Sequence, residues 1–334
     1  METTTTAIEG KRRKGISQSL VLVILIVALA AVATIVNPRF LRITNIINIF
    51  QQIAVLGIVA SGVGMLLVSG HIDISVGSQV SLMGVILAMV IQRVLGLPEG
   101  DVEPWRQALA FPLAILVTFA VGFVLGLING ITVVKSRAAS FIITLGFLSV
   151  YHGVALVTSG GASYMLFGRF EWLGRGRIMN FIPISILFLL GIAVISYLVL
   201  RYFRYGRFLY AIGGNRQAAY VSGININRVI ITGYILVGIL NALAALILIS
   251  RVGSALATTG DDYALNSLAA VIVGGVSITG GRGTALNIFL GVVLIGLIGN
   301  ALIIMNVNPY VRDIVIGLVI ITAVTISQYT SARE

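Results

Sequence analysis

Ten mostly apolar runs divide this chain, at 18–36, 53–70, 74–92, 108–133, 138–158, 181–200, 229–250, 264–280, 285–305 and 311–329, all uncharged except the last, which carries Arg312 and Asp313 near its start. About 20 apolar residues cross a hydrocarbon core of roughly 30 Å, so each run is a candidate membrane span. Inside lipid each must be helical, because a backbone group left unpaired there costs several kcal/mol. The expected fold is all-α: a polytopic transmembrane helical bundle of about ten spans. Composition supports this. Of 334 residues, 58% are hydrophobic and 10% charged, against about 25% charged in a soluble domain. Too few charges remain to cover a surface in water.

The amino-terminal stretch imitates a secretory signal, with Lys11-Arg12-Arg13-Lys14, an apolar run and an Ala28-Leu29-Ala30 triplet. The run from Leu20 to Val36 exceeds a usual h-region of about 7–15 residues, and many spans follow it. It reads as a retained first transmembrane helix. The expected organisation is a cytoplasmic tail over 1–16 and a single membrane domain over 17–330. Placing the amino terminus inside puts 13 of the 22 basic residues on the cytoplasmic side, among them Arg201, Arg204, Arg207, Arg216 and Arg228. That bias is the one cytoplasmic loops carry. Seven of 11 acids (Glu99, Asp101, Glu103, Glu171, Asp261, Asp262 and Asp313) then fall outside.

The net charge of +11 does not point to nucleic acid, because the arginines sit in short loops between apolar runs, not along one face. With no cysteine there is no disulfide framework, thiol chemistry or cysteine metal site. Two histidines, His71 and His152, make no metal cluster. Gly-x-Ser-x-Gly, His-Glu-x-x-His and the phosphate-loop motif are all missing, and the only lysines are Lys11, Lys14 and Lys135. If transport here consumes ATP, another chain binds the nucleotide. No cofactor is expected.

Asp73 is the most informative ionisable residue, since a carboxylate at membrane depth must be paired, near water or at an interface. One reading puts residues 69–78 on a broken helix lining a substrate path, with His71, Asp73, Ser75, Gly77 and Ser78 as its polar and flexible groups. The other makes 69–73 an ordinary cytoplasmic turn, with Asp73 capping the next helix. Both remain open from the residues alone. His152 reads as a relay or substrate contact, or as a histidine bonded to a neighbouring helix. Asn129, Asn241, Asn287 and Asn300 read as bridges between helices. A Gly-interrupted stretch recurs in the second half, at Gly274-Gly275 and Gly280-Gly281-Arg282-Gly283, which suggests two pseudo-repeats with a path between them.

The loop 201–228 contains Gly206-Arg207-Phe208-Leu209-Tyr210-Ala211-Ile212-Gly213-Gly214-Asn215, followed by Ala218-Ala219 and Ser222-Gly223-Ile224-Asn225. It resembles the corresponding stretch of ribose- and xylose-type ATP-binding-cassette permeases, the sugar branch of the branched-chain amino acid/monosaccharide permease family. Residues 70–78, Ser140 to Gly146, and Ala269 to Gly283 resemble the same family in the same order, so the likeness runs from about residue 38 to about 325. It implies a type II importer-like subunit of ten helices in the bacterial inner membrane. Implied partners are a cytoplasmic ABC ATPase, a periplasmic sugar-binding protein and a second permease subunit, in a homo- or heterodimer.

The resemblance also implies an ATPase-coupling segment at Gly213, Gly214, Asn215, Arg216, Gln217, Ala218, Ala219 and Gly223, where the family carries Glu-Ala-Ala-x-x-x-Gly. Small Ala218 and Ala219 let a helix seat closely, and Gly223 permits a tight exit. Two departures stand out: Gln217 replaces the glutamate, and His71 stands where a second glycine is usual. The expected function is the permease subunit of a monosaccharide importer. The alternative is a proton-coupled secondary sugar transporter working through Asp73 and His152. Which sugar is carried is not written in these residues.

Overall fold

The computed structural model describes residues 17–97, 103–179 and 182–331. The expected tail over 1–16, with its Lys11–Lys14 cluster, and Glu99, Asp101 and Arg333 lie outside the described residues. The helices are α1 (Gln18–Val36), α2 (Ile43–Val68), α3 (Val76–Leu95), α4 (Pro104–Ser136), α5 (Ser140–Ser159), α6 (Ile184–Tyr202), α7 (Arg204–Gly214), α8 (Arg216–Val221), α9 (Ile226–Val252), α10 (Asp262–Val273), α11 (Ala285–Ile304) and α12 (Pro309–Ser331). Eight helices among the described residues (α1 to α6, α9 and α11) are long and apolar enough to cross a membrane. Four two-residue strands join connections: β1 (Tyr164–Met165) pairs with β4 (Ser254–Ala255), and β2 (Arg177–Ile178) with β3 (Ile182–Pro183).

The eighth expected span, 264–280, is corrected. Its helix, α10, has 12 residues, about 18 Å at 1.5 Å per residue, too short to cross a core of roughly 30 Å by itself. The rest of that run turns through Gly275 and Gly280, and the chain goes on through Gly281 and Gly283, all at positive φ. Val276 and Ile278 kept it apolar, and apolarity does not distinguish a buried turn from a helix. At its other end, α2 begins ten residues before the expected run. Its first turns carry Asn45, which exchanges amide hydrogen bonds of 3.0 and 3.1 Å with Asn300, so polar residues there bridge helices instead of ending one.

The core gathers around α2, α3 and α9, whose facing residues from Ile53 to Val68 and from Tyr234 to Ile249 are largely buried. Helix α4 crosses α9 at close range: a side chain on Gly122 would stand 2.5 Å from the Gly238 carbonyl, so the backbones pack directly. Helix α1 buries only Leu22 and Ala33, as expected of a helix facing hydrocarbon.

The connections sort to two ends. At one, 69–75 meets the start of α5 (Ile72 N to Ser140 Oγ, 3.0 Å) and the α10–α11 turn (Gly281 N to the Val68 carbonyl, 2.8 Å). At the other, 160–183 meets the end of α9 through Leu166 N to the Gly253 carbonyl (2.8 Å) and Gly174 N to Ser250 Oγ (2.9 Å).

Candidate functional site

Between α2 and α3 the chain is not helical. Gly70, at φ +78°, starts a stretch that runs inside the bundle with Asp73 2% exposed. Buried backbone outside a helix needs partners, and side chains from two helices supply them. Ser140 Oγ and Thr144 Oγ1 of α5 accept from Ile72 N and Ile74 N, and Tyr234 of α9 donates to the Ile72 carbonyl at 3.1 Å.

The Asp73 carboxylate accepts four hydrogen bonds. Ser75 N and Ser75 Oγ donate to Oδ1 at 2.9 and 2.6 Å, and Gln79 Nε2 and Asn129 Nδ2 donate to Oδ2 at 3.2 Å each. The network continues from Tyr151 to Asn129 Oδ1 at 2.6 Å and from Asn241 Nδ2 to Gln79 Oε1 at 3.0 Å. One carboxylate thus ties the break to α3, α4, α5 and α9. Each reading of this segment captured part of it: Asp73 does accept from the first turn of the next helix, but the turn is sealed inside the protein.

Of the other residues named for the path, Ser75 and Ser78 are buried, and Ser78 Oγ donates to the Ser75 carbonyl at 2.9 Å. Gly77 packs on the 253–261 connection, where a side chain would meet the Gly260 carbonyl at 2.8 Å. His71 is half-buried, with Nδ1 3.0 Å from the Ser69 carbonyl. Burial chiefly, opposed by the hydrogen bond to the Ser69 carbonyl and helped less by the Arg216 guanidinium, pulls its pKa down to about 4.

The glycines of three distant motifs meet backbone to backbone. Gly213, near the end of α7, lies against the Val68 carbonyl and the Gly281 amide with no space for a side chain. Gly280 touches Gly70 and Gly213, and Gly281 touches Gly214. Tyr210 of α7 donates to the Gly283 carbonyl at 2.7 Å. The end of α2, the end of α7 and the α10–α11 turn are thus one contact.

Directly beyond it comes α8. Asn215 caps it, accepting from Ala218 N at 2.9 Å. Ala219 faces inward at 3% exposure, and Gly223 ends the turn at φ +82°. Arg216, Gln217, Ala218, Tyr220 and Val221 face outward, with Tyr220 67% and Val221 74% exposed. This six-residue helix thus presents an aromatic, a valine and a guanidinium, with no acid, on its outer side.

Sequence reasoning missed Gln79 and Tyr151 of the Asp73 network. A glutamine and a tyrosine within apolar runs were the available signal. All four singled-out asparagines bridge helices: Asn287 accepts from Ser19 of α1 at 2.7 Å, and the others are described above. His152 faces Asp261, at 3.9 Å, and is no partner of Asp73. A separate cavity of about 290 Å³ in the other half is lined by Gln52, Arg251, Asp262, Asn266 and Arg312 among others.

A family model described as branched-chain amino acid transport system / permease component matches residues 45–324. The ribose import permease protein of Bacillus subtilis is 36% identical over 307 residues, 91% of each chain. That of Escherichia coli K12 is 32% identical over 335 residues, 97% of this chain and 98% of the relative. The galactose/methyl galactoside import permease protein of Escherichia coli K12 is 32% identical over 322 residues, 93% of this chain and 94% of the relative. No solved structure matches.

Proposed function

The chain belongs to the family of branched-chain amino acid transport system permease components, and from that membership we propose that it is the membrane subunit of an ATP-driven monosaccharide importer. The sugar import named for its relatives supports the substrate class. In this reading ATP is hydrolysed by a separate cytoplasmic ABC ATPase, a periplasmic sugar-binding protein delivers the sugar, and a second permease, identical or paralogous, completes the path. The membrane domain spans 17–330 in the bacterial inner membrane with the amino terminus in the cytoplasm.

The observation that carries the mechanism is the direct contact between the base of α8 and the α2–α3 break. Gly213, Gly214, Asn215, Arg216, Gln217, Ala218, Ala219 and Gly223 form the ATPase-coupling segment. Closure of the ATPases displaces α8. Because Gly213 lies on the Val68 carbonyl and the Gly281 amide without slack, the displacement reaches both the break and the α10–α11 turn. A well-packed contact shifts between discrete arrangements and does not stretch. His71, Asp73, Ser75, Gly77 and Ser78 form the seam of the path. Asp73 is its latch, holding α3, α4, α5 and α9 together until the break moves. Gln217 contributes a neutral amide where the family's glutamate would form an ion pair.

Vesicles carrying the complete assembly test this. Sugar uptake should require ATP and vanish when the ATPase chain carries a substitution that abolishes hydrolysis. Uptake that persists with that inactive ATPase contradicts the proposal.

A further inference from the structure

Ionisable side chains on the helices that face outward are confined to their ends. Helices α1 and α11 have none, α4 has Arg106 and Lys135 near its termini, and α6 has only Arg201 in its last turn. Helix α5 breaks this pattern. His152 is its 13th residue, about 18 Å along from Ser140 at 1.5 Å per residue, and its Nδ1 lies 3.9 Å from Asp261 Oδ1, with side chains 33% and 45% exposed. Ser81 of α3 donates to the same carboxylate oxygen at 3.4 Å.

Around this pair the α5 surface is hydrocarbon-like, with Val150 53%, Val154 44% and Val157 85% exposed. A half-exposed carboxylate and imidazole facing lipid tails at that depth would cost several kcal/mol. The pair therefore faces water or protein in the assembled molecule. Nearby, Gly146 and Gly153 have open space where a side chain would project, and Ser149 is exposed, so no bulky side chain of α5 covers the approach.

We propose that His152 and Asp261 line the sugar path and determine its specificity, holding a pair of adjacent hydroxyls as a neutral sugar passes. This rests on the importer reading above and adds the contact point. A carboxylate has about four acceptor positions and a neutral imidazole one donor and one acceptor. Ser81 uses one position on Asp261, which leaves acceptors for two hydroxyl donors side by side. A sugar lacking one of those hydroxyls leaves a polar group unpaired, and built polar sites discriminate strongly on that basis.

The absence of cysteine makes the test clean. In the complete assembly reconstituted in vesicles, His152→Cys supplies the sole thiol on this chain. A charged, membrane-impermeant thiol reagent should label it, and transported sugar should slow labelling several-fold. Separately, Asp261→Asn should lower uptake at saturating binding protein at least tenfold and narrow the preference for the sugar over its 2-deoxy analogue, while binding-protein-stimulated ATP hydrolysis persists. The probe is D-ribose or D-galactose, whichever the unaltered assembly carries. If it carries neither, the other pentoses and hexoses are tried in turn, and an assembly that carries no monosaccharide sinks the importer reading itself. If it carries one, but the thiol reacts only with a lipid-soluble maleimide, or Asp261→Asn keeps full rate and preference, this inference alone is overturned. Parallel loss of ATP hydrolysis in Asp261→Asn, reversed by Asp261→Glu without any change of preference, marks a merely structural role and also overturns it.

Discussion

At the scale of the residue, Asp73 concentrates most of the consequence. Its four donors are fixed by the fold, so Asp73→Ala strands buried polar groups, each costing about 1–3 kcal/mol. Loss of thermal stability on the order of 3 kcal/mol is expected in detergent, and a change within about 0.5 kcal/mol would contradict the latch. His71 gives a pH dependence whose sign is fixed. Its pKa is about 4 in the fold against about 6.5 unfolded, so the unfolded chain binds the proton first. Stability from this group is complete above about pH 6.5 and is lost as pH falls toward 4. His71→Gln should flatten that part of the stability profile. Asp73 stood out in the sequence as a charge between apolar runs. Its fourfold satisfaction did not, because Gln79 and Asn129 are 6 and 56 residues away and nothing local marks them as partners.

At the scale of the element, the contact among α2, α7 and the α10–α11 turn depends on glycines that differ in what surrounds them. A side chain at 213 has no room, whereas at 214 it meets nothing within 4 Å. Gly213→Val should therefore lower thermal stability by at least about 2 kcal/mol, as overpacking does. Gly214→Ala should stay within about 0.5 kcal/mol, and equal effects would contradict the contact. On α8, Ala218→Trp should weaken ATPase association at least tenfold, or about 1.4 kcal/mol, with membrane insertion unchanged in fractionated cells. The eight expected spans at α1 to α6, α9 and α11 were legible because long apolar runs have one solution in lipid. Helix α10 was not, because Val276 and Ile278 extend its apolar run through a turn. The glycine motifs were visible separately, but their meeting is a tertiary fact.

At the scale of the whole molecule, the two halves meet where each is interrupted: the 69–75 break against the α10–α11 turn, and Gly77 against the connection before α10. A push on α8 should move break and turn as one body relative to the α4–α5 connection. The cysteine-free chain allows spin labels in pairs at Ser222 with Thr279, and at Ser222 with Arg137, all exposed. Distances are measured in the complete assembly before and after ATP is trapped on the ATPases. The account predicts that the 222–279 distance holds while the 222–137 distance shifts by several ångströms. Separation of 222 from 279 with 222–137 unchanged would contradict it.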